Sequence, residues 1–155
     1  MRALELKIPP AAVTMLAGIG MWATAEAFPV LDVPLPPLWR AGLGVVLVAA
    51  GVFVALAGVG EFRRAATTVN PLSPEASSRL VTGGVYRYTR NPMYLGMLLA
   101  LAGWAVALSH LSAPLWLMGY AAYMNRFQIL PEERALMERF GAVFGGYRLR
   151  GEPLT

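Results

Sequence analysis

The feature that most constrains this chain is the length of its stretches without a charge. Residues 8–25 hold none, residues 42–60 hold none, and neither do the 35 residues of 91–125. A helix crosses bilayer hydrocarbon in about 20 residues. Each of the first two runs therefore makes one span, and the third is too long for one. It breaks at Ser109-His110-Leu111-Ser112-Ala113-Pro114, where Pro114 suits the first turn of a new helix. Four spans are expected, near 9–28, 41–61, 92–109 and 113–130. Composition agrees. The chain is 57% hydrophobic and 14% charged, whereas a soluble domain carries about 25% charged residues to coat its surface. The expected fold is all-α: a single integral-membrane domain over 1–155, with four transmembrane helices, a helix 3–helix 4 hairpin and a C-terminal amphipathic helix.

The 13 basic residues exceed the 9 acidic ones, for a net charge of +4. Arg2 and Lys7 precede the first span. Arg63, Arg64, Arg79, Arg87 and Arg90 lie between the second and third. Arg126, Arg134, Arg139, Arg148 and Arg150 lie at or beyond the end of the fourth, so only Arg40 falls on the other side. The positive-inside rule then puts both termini and the 61–91 loop in the cytoplasm. The expected location is a prokaryotic inner membrane, where this charge sets topology and meets anionic lipid. It forms no nucleic-acid face. The absence of cysteine excludes disulfides, thiolate metal sites and a thiol nucleophile, and the single histidine excludes a multi-imidazole metal site. Ala23-Thr24-Ala25 looks like a signal cleavage site. Glu5, the Pro9-Pro10 pair and the length of the run favour a retained span.

Gly44, Gly51 and Gly58 recur every seven residues on helix 2, and Gly96/Ala100 and Gly103/Ala107 give small-xxx-small spacings on helix 3. These are expected to let helix backbones approach one another in lipid. Gly96 is set apart from that reading because it falls beside a candidate site.

Two polar segments on the cytoplasmic side are longer than a mere membrane anchor needs. In 61–91, prolines, glycines and interleaved Tyr and Arg predict an ordered, turn-rich loop. Asn91 is expected to cap helix 3 and Pro92 to occupy its first position, leaving free N–H groups and a positive dipole end for an anion. The second segment carries Glu132-Glu133 at the exit of a span, where ionisable residues point to function. Leu136, Phe140, Phe144 and Tyr147 then recur at helical spacing, giving the surface helix. Arg126 lies two turns before Glu133 and is its expected partner if Pro131 leaves the helix straight. Each feature also has a plainer reading. Asn91-Pro92 and Glu132-Glu133 serve as helix caps, Arg126 snorkels to headgroups, and Tyr86, Tyr88 and Tyr94 sit as interfacial aromatics. His110, on the opposite side, is read as a turn residue.

The run Leu80-Val81-Thr82-Gly83-Gly84-Val85-Tyr86 is followed by Arg90-Asn91-Pro92-Met93-Tyr94-Leu95-Gly96. Further on come Glu132-Glu133-x-x-Leu136 and Phe140-Gly141-x-x-Phe144-x-x-Tyr147. Together these resemble the isoprenylcysteine carboxyl methyltransferases and the related phospholipid methyltransferases, small integral-membrane enzymes that use S-adenosylmethionine. The likeness covers about residues 67–147, with cofactor elements at 78–96 and 126–147. It implies that Ser78, Arg79, Leu80, Val81 and Tyr86 line the cofactor. It implies the same for Asn91, Pro92, Met93 and Tyr94, with Gly96 leaving room for the cofactor and Glu132 holding it. Arg126 and Glu133 become the candidates for catalytic work. The chain carries Asn91 where the eukaryotic enzymes carry His; Asn can donate to a carboxylate but cannot titrate. No prenylated-protein recognition is implied.

The chemistry of the cofactor fits these residue types. Its ammonium suits Glu132, its carboxylate suits Asn91, Tyr86 and the helix 3 N-terminus, and its sulfonium or adenine suits Tyr94. The expected activity is methyl transfer to a lipidic or amphipathic acceptor at the cytoplasmic interface, with membrane lipid as the surrounding partner and no metal or nucleic acid. Two other readings are a nicotinamide-dependent membrane reductase of the sterol-reductase type and a non-catalytic four-helix membrane protein. The first is expected to have ten or more spans. The second is expected to carry polar residues near midspan, and helices 2 and 3 have none.

Overall fold

The structure is a computed structural model that describes residues 5–65 and 81–150, the last four as backbone only. Five helices follow in order: α1 (Pro10–Ala27), α2 (Pro37–Arg64), α3 (Pro92–Leu108), α4 (Ala113–Met124) and α5 (Leu130–Arg150). Short 3₁₀ turns lie at Pro29–Leu31 and Gly84–Arg87, and a π-turn, Asn125–Ile129, joins α4 to α5. No strand forms among the described residues. Each of α1 to α4 opens with proline in its first turn, where the missing N–H costs nothing.

Sequence expectation and structure agree closely on α1 and α3. Helix α2 begins four residues earlier than expected and ends three later, because Pro36-Pro37 starts it and nothing stops it before Arg64. It is long and apolar enough to cross a membrane, while α3 is also apolar but shorter. The outward faces suit hydrocarbon. Phe53 is 73% exposed, and Leu16, Ile19, Leu115 and Met118 also point outward. So much apolar surface would be a liability in water.

Helices α2 and α3 run antiparallel, and the glycine stripe is what brings them together. Gly44 packs on Gly103 and Ala107, Gly51 on Gly96 and Ala100, and Gly58 on Pro92 and Met93. A side-chain carbon on Gly96 would lie 2.8 Å from both the Cβ and the amide nitrogen of Ala55, and nearer still to the Gly51 carbonyl. This corrects the expectation that Gly96 leaves room for a cofactor: the space is filled by α2. Gly96→Leu is expected to force the two backbones apart. Overpacking of this kind costs about 3 kcal/mol or more, roughly 10 °C in thermal midpoint for a chain of this size. A melt in detergent with an unchanged midpoint would remove Gly96 from the seam.

Helix α1 packs across α3 and α4. The Trp116 indole fills the gap over Gly20 and donates to Thr24 Oγ1 at 3.2 Å, while Trp104 Nε1 donates to the Gly18 carbonyl at 3.0 Å. Met21, Tyr94, Leu101, Tyr120 and Met124 form the buried core between these helices.

The non-cytoplasmic end of the expected topology is closed by the 28–36 connection, which lies against the α3–α4 turn. Val33 N donates to the Ser109 carbonyl at 2.7 Å, Leu111 N to the Leu31 carbonyl at 3.1 Å, and Asp32 bridges His110. His110 is indeed at the turn, but it is buried and Nε2 meets the Phe28 carbonyl at 3.0 Å. Arg40, the lone cation on this side, donates twice to the Ala107 carbonyl, at 3.1 and 2.6 Å. It neutralises the negative end of α3 and supplies donors to a carbonyl the helix leaves orphaned.

The largest departure from expectation is at the end of α4. The chain does not exit there into a separate surface helix; it passes through the π-turn straight into α5. Proline at 131 has no N–H for the Phe127 carbonyl and its ring crowds that carbonyl, so a regular α-turn is unfavourable. The helix widens instead, and Leu130 N reaches back five residues to the Asn125 carbonyl. The real break comes at Gly141, whose φ of 52° and ψ of −125° suit glycine. Beyond it Phe144 is buried. Of the expected apolar stripe, the Tyr147 side chain lies outside the described residues.

Candidate active site

The ends of α2, α3 and α5 meet at the cytoplasmic end of the expected topology, and most of the candidate residues gather there. Tyr94, one turn into α3 and buried, donates from its hydroxyl to Glu132 Oε2 at 3.0 Å. Arg90, just before α3, pairs with Glu133 at 3.3 Å. The two adjacent glutamates in the first turn of α5 are thereby tied to two points at the start of α3. Burial pushes the Glu132 carboxyl up to about 7. The neighbouring Glu133 charge acts in the same sense, and the Tyr94 hydrogen bond opposes it.

The segment before α3 forms the wall of this corner. Gly84 has φ of +57°, and a side chain there would collide with the Glu61 carboxyl beneath it. Glycine lets the turn ride over the end of α2, where Glu61 also pairs with Arg64 at 2.6 Å. The 3₁₀ turn that follows buries Tyr86, whose ring meets Phe62 edge-on at 5.6 Å. Val81 is buried too, whereas Tyr88 is 90% exposed and belongs to the surface. Ser78, Arg79 and Leu80 lie outside the described residues.

Asn91 stands at the N-cap position of α3, but its side chain makes no capping bond; its own backbone N–H donates to Thr89 Oγ1 at 3.3 Å. The plain capping reading of Asn91 therefore fails, and among the described residues its amide has no hydrogen-bond partner next to the positive end of α3. Pro92, Met93 and Gly96 pack against Gly58, Gly51 and Ala55 of α2.

Arg126 is not the partner of Glu133. It pairs with Glu5 at 3.0 Å, and Arg134 joins the same carboxylate at 2.6 Å. The π-turn changes the helical phase between 126 and 133, so the two-turn spacing read from the sequence no longer puts them on one face. Four participants were missed in the sequence: Glu5, Glu61, Arg90 and Gln128. Arg90 carried a signal, since it adjoins Asn91. Gln128, 0% exposed, was hidden in an apolar-looking stretch, and the distance in sequence from Glu5 to Arg126 gave no warning.

The corner thus offers a partly buried carboxylate, an uncommitted amide, a helix N-terminus and two buried tyrosines. That set suits the zwitterionic head of an amino acid, with the ammonium at the glutamate and the carboxylate at the helix end. Among the described residues no three His, Asp or Glu side chains form a metal-holding group.

A model of the phospholipid methyltransferase family matches residues 39–143, from the start of α2 into α5. The chain is also similar to protein-S-isoprenylcysteine O-methyltransferase A of Arabidopsis thaliana, with 29% identity over 107 residues. That alignment takes in 68% of this chain and 53% of the plant protein, so the chain spans about half the length of the curated relative it matches. No solved structure matches it. The matched region contains α2, the Gly84 turn, Tyr94 and the Glu132-Glu133 pair, and α2 and the family together support a membrane location. On this evidence the chain belongs to the phospholipid methyltransferase family.

Proposed function

We propose that this protein moves the methyl group of S-adenosylmethionine to a lipidic or amphipathic acceptor at the cytoplasmic interface of the membrane. The observation that carries the reading is Glu132: a carboxylate raised toward neutrality by burial, held by Tyr94, inside the family-matched region. A buried carboxylate with no countercharge among the described residues is costly to ionise unless a cation comes to it. S-adenosylmethionine supplies a methyl group already activated on a sulfonium. Glu132 would hold its ammonium, and Asn91 with the N-terminus of α3 would hold its carboxylate. Tyr86, Tyr94 and Val81 would wall off water, and Ser78, Arg79 and Leu80 would complete the lining. With the donor so fixed, an acceptor atom held about 3–3.5 Å from the methyl group needs little more than alignment.

Glu133 and Arg126 remain the candidates nearest the acceptor. Each acts from within an ion pair, Glu133 with Arg90 and Arg126 with Glu5. An acidic acceptor at Arg126 would have to exchange with the Glu5 carboxylate.

The deciding experiment is calorimetry on the detergent-solubilised protein with S-adenosylmethionine, and with NADPH in parallel. Saturable binding of the first and none of the second is expected. Binding of NADPH alone would turn the reading toward a reductase, and binding of neither would leave a non-catalytic membrane protein. The proposal includes four spans in a prokaryotic inner membrane with both termini cytoplasmic. It is supported by the apolar outward faces of α1 and α4 and by the collection of Arg63, Arg64, Arg87, Arg90, Arg126 and Arg134 at one end. A reporter fused after Thr155 should read cytoplasm and one inserted beside His110 the opposite side. The same answer from both would sink the four-span topology.

A further inference from the structure

Residues 5–8 do not simply lead into α1; they close over the π-turn with three different kinds of contact. Leu6 N donates to the Phe127 carbonyl at 3.0 Å. This is the carbonyl that Pro131 leaves without a donor, since the residue four positions on has no N–H. Gln128, wholly buried in the middle of the π-turn, donates from Nε2 to the Ile8 carbonyl at 2.7 Å. Glu5 joins Arg126 inside the turn and Arg134 beyond it through its two carboxylate oxygens. Leu6 takes φ of 55°, a left-handed conformation unfavourable for leucine, and the contacts on both sides hold it there. Desolvation works against the Glu5 charge, but the hydrogen bonds and charges of the two arginines prevail and hold its carboxyl below the usual range.

The π-turn has one residue more than an α-turn would have. Removing that excess turns everything after it by about 100° relative to α4. The position now held by Glu132 would pass to Pro131, and Tyr94 would lose its partner. We propose that residues 5–8 form a strap that keeps the π-turn open, and that Glu5 is a positioning residue which sets where Glu132 stands against Tyr94. The strap's importance for catalysis rests on the proposed cofactor reading, but its structural effect does not.

The test is therefore made without cofactor. Among the described residues, the titratable and charged groups around Glu132 are Tyr94 in the first turn of α3, Arg90 just before it, Tyr86 from the preceding 3₁₀ turn, and Glu133 on its own helix. Carboxyl ¹³C NMR of glutamate-labelled protein in detergent, with Glu132→Gln to assign the signal, should give a Glu132 midpoint near 7 in the unaltered chain. Glu5→Gln loosens the strap, and adding Pro131→Ala to it restores the N–H that lets the freed turn anneal to α. Each variant, single and double, is expected to bring the midpoint down by more than about one unit as Glu132 turns toward solvent. Pro131→Ala removes a helix breaker, so the double variant keeps the test alive if Glu5→Gln alone fails to fold. A midpoint near 7 in a folded Glu5→Gln protein, or in the folded Glu5→Gln/Pro131→Ala double variant, overturns the strap. In a second readout, Glu5→Gln should weaken S-adenosylmethionine binding roughly tenfold. Shifted midpoints with no cofactor binding by the unaltered protein would leave the strap standing and remove the proposed function instead.

Discussion

Glu132→Gln should weaken S-adenosylmethionine binding roughly 10- to 150-fold. Glutamine keeps the shape of the side chain and can still accept the Tyr94 hydroxyl now 3.0 Å from Oε2. What it removes is the negative charge opposite the cofactor ammonium. A charge-assisted pair of this kind contributes about 1.5–3 kcal/mol, and an ammonium left in a partly buried corner without its partner adds to the loss. The competing view is that Glu132 only complements the start of α5. In that case the substitution costs about 0.3–1 kcal/mol of stability through the helix dipole and leaves binding alone. Titration of the purified variant separates the two, and an unchanged affinity would make Glu132 structural.

The second large effect is on pH. With the free-protein carboxyl of Glu132 at about 7, the cofactor ammonium has to displace a proton whenever the medium is more acidic than that. Affinity should therefore fall roughly tenfold per pH unit below about 7, with about one proton released per cofactor bound near pH 6. At the alkaline end the cofactor's own amino group loses its proton, near 8 for an ordinary α-amine. Tightest binding is expected between about 7 and 8. The sign for stability is the reverse of that of a salt-bridged acid. A folded-state value raised from 4.5 means that the folded chain holds the proton more firmly than the unfolded one. This contribution is fully present below about 4.5 and is lost as pH rises through about 7. Calorimetry in buffers of different ionisation enthalpy counts the protons, and in Glu132→Gln the acid limb should vanish. An acid limb that survives in the variant would assign the titration to another group.

Much of this was written in the one-dimensional pattern. The helices of the first half follow from uncharged runs between prolines, because helix is what satisfies backbone polar groups away from water. The seven-residue glycine spacing marked a packing face on α2, since a recurring missing side chain lines one face of a helix; that α3 is its partner came from the structure. The pairing of Asn91–Tyr94 with Glu132-Glu133 was legible as a motif. Gly96 was not, because the same spacing suits a gap for a ligand and a gap for another backbone. Only the position of α2 distinguishes them.

The sequence alone therefore determined the all-helical class of the chain, the starts of α1, α3 and α4, the packing stripe and the acidic pair of the candidate site. The tertiary structure decided how those pieces face one another. It turned α4 and α5 into one helix with a π-turn, because Pro131 withdraws a single donor and the turn widens instead of stopping. It gave Arg126 to Glu5 and Arg90 to Glu133, since the phase of a helix after a π-turn cannot be counted from residue spacing. It brought Leu6 to the one carbonyl that Pro131 had orphaned. Hydrophobic pattern is local and reads directly from the chain, whereas hydrogen bonds between residues far apart in sequence exist only once the helices have packed.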